Sequence, residues 1–158
     1  MSTVTPQPTM PPEGVQPLNP DEEALVRSLT RVMYALPRAI DADMVREQRL
    51  PLIDYLALMH LSEAADRRLR MSELAAACEM SLSGMSRVVH RLESQGLIQR
   101  IRCEQDARGW NAVLTDAGLT RLQEAWPTSL AAVRRQFLDH LTGVDLRKLS
   151  QALQDVAI

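Results

Sequence analysis

Aromatic residues are scarce: two Trp, two Tyr and one Phe among 158 residues. A chain so poor in rings lacks the material for a large aromatic ligand cage or a platform on which nucleic-acid bases stack. Lysine is nearly missing as well, since Lys148 is the single exception among 18 basic residues. Arginine suits forked contacts to phosphate and guanine, but a GC-rich genome produces the same ratio, so it decides nothing alone. The two cysteines, Cys78 and Cys103, form no C-x-x-C pair, which removes the short-spaced zinc and dithiol motifs. No stretch nears the ~20 apolar residues that cross a bilayer, and no basic segment with an apolar run opens the chain. The expectation is a cytoplasmic microbial protein without a membrane anchor.

What is present is a globular composition, 46% hydrophobic and 24% charged. Leu, Ala and Met supply most of the apolar mass, which favours helix over sheet in a single domain with a real core. Charge is unevenly spread. Residues 1–66 hold ten acids against five arginines, residues 67–108 eight arginines against five acids, and residues 109–158 five of each sign. The net charge of −2 therefore conceals a basic central segment, a distribution worth following when a polyanionic partner is in question.

Residues 1–20 contain six of the nine prolines and read as a disordered arm. Order is expected to begin near DEEALVRSLTRVMYAL, with Asp21 as cap and a helical stripe through Leu25, Leu29, Val32, Met33 and Leu36. Pro37 is expected to kink or interrupt that helix. Helices follow over 50–64, 71–79 and 81–95, the last stopped by Gly96. GLIQRIRC then alternates as a strand over 97–103, EQDARG turns, and WNAVLT returns over 110–115. Thr115 or Asp116 caps a long helix to about Leu141 that Pro127 bends. Thr142 with Asp145 resembles a capping box for a last helix through Leu146, Leu149, Leu153 and Val156.

The pair of helices at 71–79 and 81–95, joined by a very short turn, is a helix-turn-helix arrangement. On the second helix Leu82, Met85, Val88, Val89 and Leu92 mark an apolar face; Ser83, Gly84, Ser86, Arg87, His90, Arg91 and Ser94 mark the opposite one. Small side chains let a helix approach the floor of a major groove, and hydroxyls and arginines then reach base edges and phosphates. A polar stripe is usually only a solvated face. The hairpin adds the second signal, because a helix-turn-helix followed at once by two strands is a winged helix. Arg108 at the expected tip, beside Gly109, suits the concentrated negative potential of a narrow minor groove. Asp106 stands where it can hold the loop through Arg102, Arg108 or a backbone N–H.

These residues carry a family resemblance. SELAAACEMSLSGMSRVVHRLESQGLIQR followed by DARGWNAVLTDAG resembles the MarR family of bacterial transcription regulators, in S-E-L-A, S-R-x-V-x-R-L-E, G-L-I-x-R, D-x-R and L-T-x-x-G. The resemblance covers roughly residues 25–156. It implies a fold that is mainly α with a small β-hairpin wing, and a homodimer whose terminal helices, 21–49 and 116–158, intertwine. Residues 50–115 would be the winged helix-turn-helix, set on a pseudopalindromic promoter site of double-stranded DNA as a repressor. By position, Ser83, Ser86 and Arg87 would face the major groove and Arg108 the minor groove. Arg70 departs from the family's usual threonine cap before the third helix, which weakens the cap and adds a phosphate contact. Trp110 is expected to pack beneath the hairpin. Independently of the family, two amphipathic terminal segments exceed what a winged helix needs, and a second copy is the commonest cover for them.

Other chemistries find less support. His60, His90, His140, Cys78 and Cys103 lack the short spacings of structural zinc, although Asp41, Asp43, Glu63 and Asp66 keep a regulatory metal open. The family's peroxide sensors place a cysteine near the start of the first ordered helix, where this chain has none. Cys78 reads as a buried small hydrophobe; Cys103, on a wing strand, can be exposed. Ser86 and His90 at i, i+4 lack an orienter and an oxyanion hole, so no enzyme and no cofactor is expected. A small-molecule effector, which the family often binds between its dimerisation helices and winged helix, would meet Met33, Tyr34, Tyr55, Met59 and His60. The competing class is a winged-helix module that binds a protein partner instead of DNA.

Overall fold

The computed structural model describes residues 14–103 and 106–156, apart from the side chains of residues 106–108. It is helical with one small sheet. The helices are α1 (Pro20–Gln48), α2 (Leu52–Glu63), α3 (Met71–Ala77), α4 (Leu82–Ser94), α5 (Asp116–Gln136) and α6 (Leu146–Val156). The strands are β1 (Arg68–Arg70), β2 (Ile98–Cys103) and β3 (Asp106–Leu114), in the antiparallel order β1-β3-β2. Most of the proline-rich segment lies outside the described residues.

The chain divides after Ala35 into two units. In the first, Asn19 rather than Asp21 caps α1. Its Oδ1 accepts from the backbone N–H groups of Asp21 and Glu22 at 2.9 Å each, and Glu22 Oε2 accepts from the Asn19 N–H at 2.8 Å. That reciprocal box leaves Asp21 free to act through its charge on the helix N-terminus. α1 continues through Pro37, whose missing N–H and ring cost the helix a hydrogen bond and a steric contact with the preceding turn without ending it.

The second unit is built on a core of Met44, Leu58, Leu61, Leu74, Met85, Val89, Leu92 and Ile98, drawn from α1, α2, α3, α4 and β2. β1 escaped the sequence reading because three residues, two of them arginine, show no usable alternation. Its register sets Arg68 opposite Val113 and Arg70 opposite Asn111. Consequently Leu69 faces the core with Ala112, while both arginines share the outer face.

The junction after the hairpin explains the L-T-x-x-G motif. Leu114 is buried, and Thr115 Oγ1 accepts from the Gly118 N–H at 3.0 Å as the cap of α5. The same hydroxyl lies 2.7 Å from Gly96 O and 3.0 Å from Leu97 O. α5 comes so close to the hairpin base that a Cβ on Gly118 would stand 2.1 Å from Leu97 O. α5 stops at Gln136, short of Leu141, because Phe137 leaves helical geometry. At α6 the expected box is replaced by Asp145 alone, whose Oδ1 accepts from the N–H groups of Arg147 and Lys148 at 3.1 Å.

Candidate nucleic-acid interface

α4 is oriented by its own sequence and then fixed at several points. Ser81 caps it, accepting from the Gly84 N–H at 3.2 Å. Met85, Val88, Val89 and Leu92 are buried, while Ser83, Ser86, Arg87, His90, Arg91 and Ser94 are exposed. Two first-turn residues depart from the expected division. Leu82, placed on the apolar face, is 53% exposed. Gly84, placed on the outward face, is buried with Met80 Cε only 3.0 Å from where its Cβ would be. Each sits at the margin of the two faces, where a helical wheel assigns sides least sharply.

Arg91 is outward in pattern but committed in fact. Its guanidinium forks onto the carboxylate of Asp54 in α2, with Nε donating to Oδ2 at 2.9 Å and the second nitrogen to Oδ1. Asp54 is 1% exposed and the Arg91 side chain 44% exposed. The pair raises the Arg91 pKa, through the hydrogen bond first, against the desolvation that lowers it. Farther along, Glu93 accepts from the Arg100 N–H at 3.2 Å and from Arg100 Nε at 2.7 Å, joining α4 to β2. Neither Asp54 nor Glu93 was singled out from sequence. An acid in an apolar helix start was the available signal for Asp54.

The hairpin is tighter than expected. β3 begins at Asp106, paired with Cys103, so residues 106–109 extend the strand expected from 110. Arg108 falls in β3 within the register break between the Arg102–Trp110 and Cys103–Asp106 pairs; its side chain, like that of Asp106, lies outside the described residues. Trp110 does not pack beneath the hairpin. It is 42% exposed, with the guanidinium carbons of Arg100 and Arg102 at 5.9 and 5.3 Å from its ring centroid. Cation–π attraction to two arginines holds an amphipathic ring where a core position would not. Trp110, Leu82, Ser86, Gly109 and Arg70 line one cleft of about 260 Å³ between β3 and the starts of α3 and α4. Arg70 also opens α3, its N–H donating to Glu73 Oε2 at 3.0 Å.

Of the candidate effector residues, Tyr55 and Met59 meet in a cleft of about 310 Å³ with Leu119, Leu122 and Trp126 of α5. His60 is half-buried on α2, and Met33 and Tyr34 are exposed on α1. Both cysteines are buried, Cys103 included, and burial pushes the Cys78 thiol up. Among the described residues no three of His, Cys, Asp and Glu gather as a metal site requires, and no helix is long and apolar enough to cross a membrane.

Comparison with known proteins agrees with this architecture. The MarR family model matches residues 50–109. Sco3205, a MarR family transcriptional regulator from Streptomyces coelicolor crystallised in complex with DNA, is 33% identical with a TM-score of 0.83, over 92% of this chain and 91% of that one. AbsC, a MarR family transcriptional regulator from the same organism, is 36% identical with a TM-score of 0.80, over 90% of this chain and 96% of that one. The transcriptional repressor MprA of Escherichia coli (strain K12) is 25% identical over 146 residues, 86% of this chain and 83% of MprA. A winged helix with this hairpin and these degrees of identity places the chain in the MarR family of transcription regulators.

Proposed function

We propose that this protein is a sequence-specific DNA-binding regulator, a dimeric repressor that occludes a pseudopalindromic promoter site. One observation carries the reading: Ser83, Ser86, Arg87 and His90 form an exposed face on a helix whose reverse side is buried and whose flanks are tied to α2 and β2. A face held that firmly can be inserted as a rigid body, with hydroxyls near the groove floor and Arg87 within reach of base or phosphate. Arg70 supplies a phosphate contact beside it and Arg108 the minor-groove contact. Arg91 acts on DNA through the placement of α4, because Asp54 already holds its guanidinium.

Dimerisation is supported by apolar side chains left exposed on both terminal segments, Leu25, Val26 and Met33 on one and Leu146, Leu153 and Val156 on the other. The cleft at Tyr55, Met59 and Trp126 is the place for a small lipophilic effector. Fluorescence anisotropy against DNA from upstream of the protein's own gene, then against a random-sequence pool, tests the function. Binding that resists unrelated competitor DNA and weakens steeply with salt is expected. A pool from which no sequence is enriched would transfer the reading to a protein-binding module.

A further inference from the structure

The cleft between α2 and α5 takes its chemical character from its two walls. Tyr55, Met59 and Glu63 follow one another at every fourth position of α2, and Leu119, Leu122 and Trp126 recur at helical spacing on α5, so each wall is one row of a helix surface. Glu63 is the last residue of α2, two turns beyond Tyr55, which is about 12 Å of helix rise. The α2 wall of this cleft of about 310 Å³ therefore runs from a phenol ring to a carboxylate.

The charge of this lining is one-sided. Among the described residues, Glu63 is the only side chain on either wall that is ionised at neutral pH; Ser62 and Gln123 are neutral, and His60, although on α2, does not line the cleft. Arg67, the next cation along the chain, is engaged by Asp116 at 2.9 Å. No described residue forms an ion pair with Glu63. An anionic guest would meet an uncompensated carboxylate, and a cationic guest its complement. The rest of the lining suits a cation that carries a hydrophobic body. The rings of Tyr55 and Trp126 attract ammonium groups and the methylenes beside them, and the Met59 thioether is polarisable and adaptable. Trp126 is 56% exposed, an apolar area that a guest in the cleft would cover.

We propose that this cleft selects a lipophilic organic cation, an elongated amine whose ammonium group is held by Glu63 while its apolar body lies against Tyr55, Met59 and Trp126. The proposal rests on the reading of the cleft as an effector site and names the class of effector. The test is isothermal titration calorimetry of the full chain with phenylbutylamine, phenylbutanol and phenylpentanoate, which share one phenylbutyl body and differ in the charge of the head group. Affinity is expected to fall from ammonium to alcohol to carboxylate, each step about two- to fivefold, as suits a carboxylate that water also reaches. Added salt should compress the order. Glu63→Gln, an exposed replacement of the same shape, should bring the three affinities together, and Trp126→Ala should weaken all of them. A carboxylate that binds the unaltered chain as tightly as the ammonium, or an order that survives in Glu63→Gln, overturns the cation assignment and leaves the effector site standing. If none of the three binds, the effector site falls with it, so the two failures are distinct.

Discussion

Removing one partner of the Asp54–Arg91 pair should depend strongly on which partner goes. Arg91→Ala strands a carboxylate that is 1% exposed, whereas Asp54→Asn releases a guanidinium whose side chain is already 44% exposed. Losing one member of a fully buried ion pair costs about 3–5 kcal/mol, much of it from the charge left behind. Water reaches this pair from the arginine side, so about 2–4 kcal/mol is expected for Arg91→Ala. Asp54→Asn keeps an amide that can still accept one hydrogen bond, while Arg91 turns into solvent; about 1–2 kcal/mol is expected. The double variant Asp54→Asn/Arg91→Ala should therefore be more stable than Arg91→Ala alone. Urea unfolding followed by circular dichroism measures all three, at one protomer concentration because an oligomer's midpoint depends on it. The reasoning is refuted if Arg91→Ala costs no more than Asp54→Asn, or if the double variant recovers nothing. DNA affinity separates positioning from contact: Asp54→Asn retains the arginine and should nevertheless weaken binding if Arg91 works by placing α4.

Gly118→Ala should destabilise the fold by about 1–3 kcal/mol, because the new Cβ would meet Leu97 O at 2.1 Å; thermal unfolding reports it, and an unchanged Tm would count against the close junction. Asp43 is held down to about 2 by the Gln136 hydrogen bond, then by Arg135 and Arg46, against burial. A carboxylate with a folded pKa below its unfolded 3.8 stabilises above that value and loses the contribution as pH falls toward 2. Discounting for its half-exposed arginine partners leaves about 1–2 kcal/mol, so the stability gap between the native chain and Asp43→Asn should narrow from pH 5 to pH 2.5. Finally, Arg87→Ala should cost about 1–3 kcal/mol of specific DNA affinity and Arg108→Ala should weaken binding with the dimer intact; anisotropy at matched salt checks both, and an Arg108→Ala protein equal to the native one contradicts the wing assignment.

The helix-turn-helix and hairpin were legible because local signals agree there: the apolar face of 81–95, Gly96 as stop, and the change from helical to alternating spacing at Leu97. The sequence also marked Thr115 and Gly118, although the reason for that glycine emerges only when α5 meets the hairpin base. What stayed hidden depends on partners distant in the chain. β1 exists because β3 offers it a ladder. Asp54 gains its role from a residue 37 positions away, and Asp43 from residues 92 and 93 positions away. Trp110 was misplaced because alternation alone sends a large ring inward, while the arginines of β2 hold it at the surface. The cap of α1 was misread by two residues, since Asn19 and Asp21 are both competent and only the reciprocal bond with Glu22 selects the first.

One turn of α2 has two neighbours that share no other obvious link. Asp54 holds the recognition helix from one side, and Tyr55, the next residue, lines the cleft against α5 with Met59 one turn on. Successive residues of a helix point about 100° apart, so a single stiff rod touches the DNA-reading element and the lipophilic cleft at the same height. Whatever wedges α2 away from α5 must either carry the Arg91 anchor along or stretch it. An effector in the proposed cleft would therefore touch a residue one peptide bond from the anchor of α4.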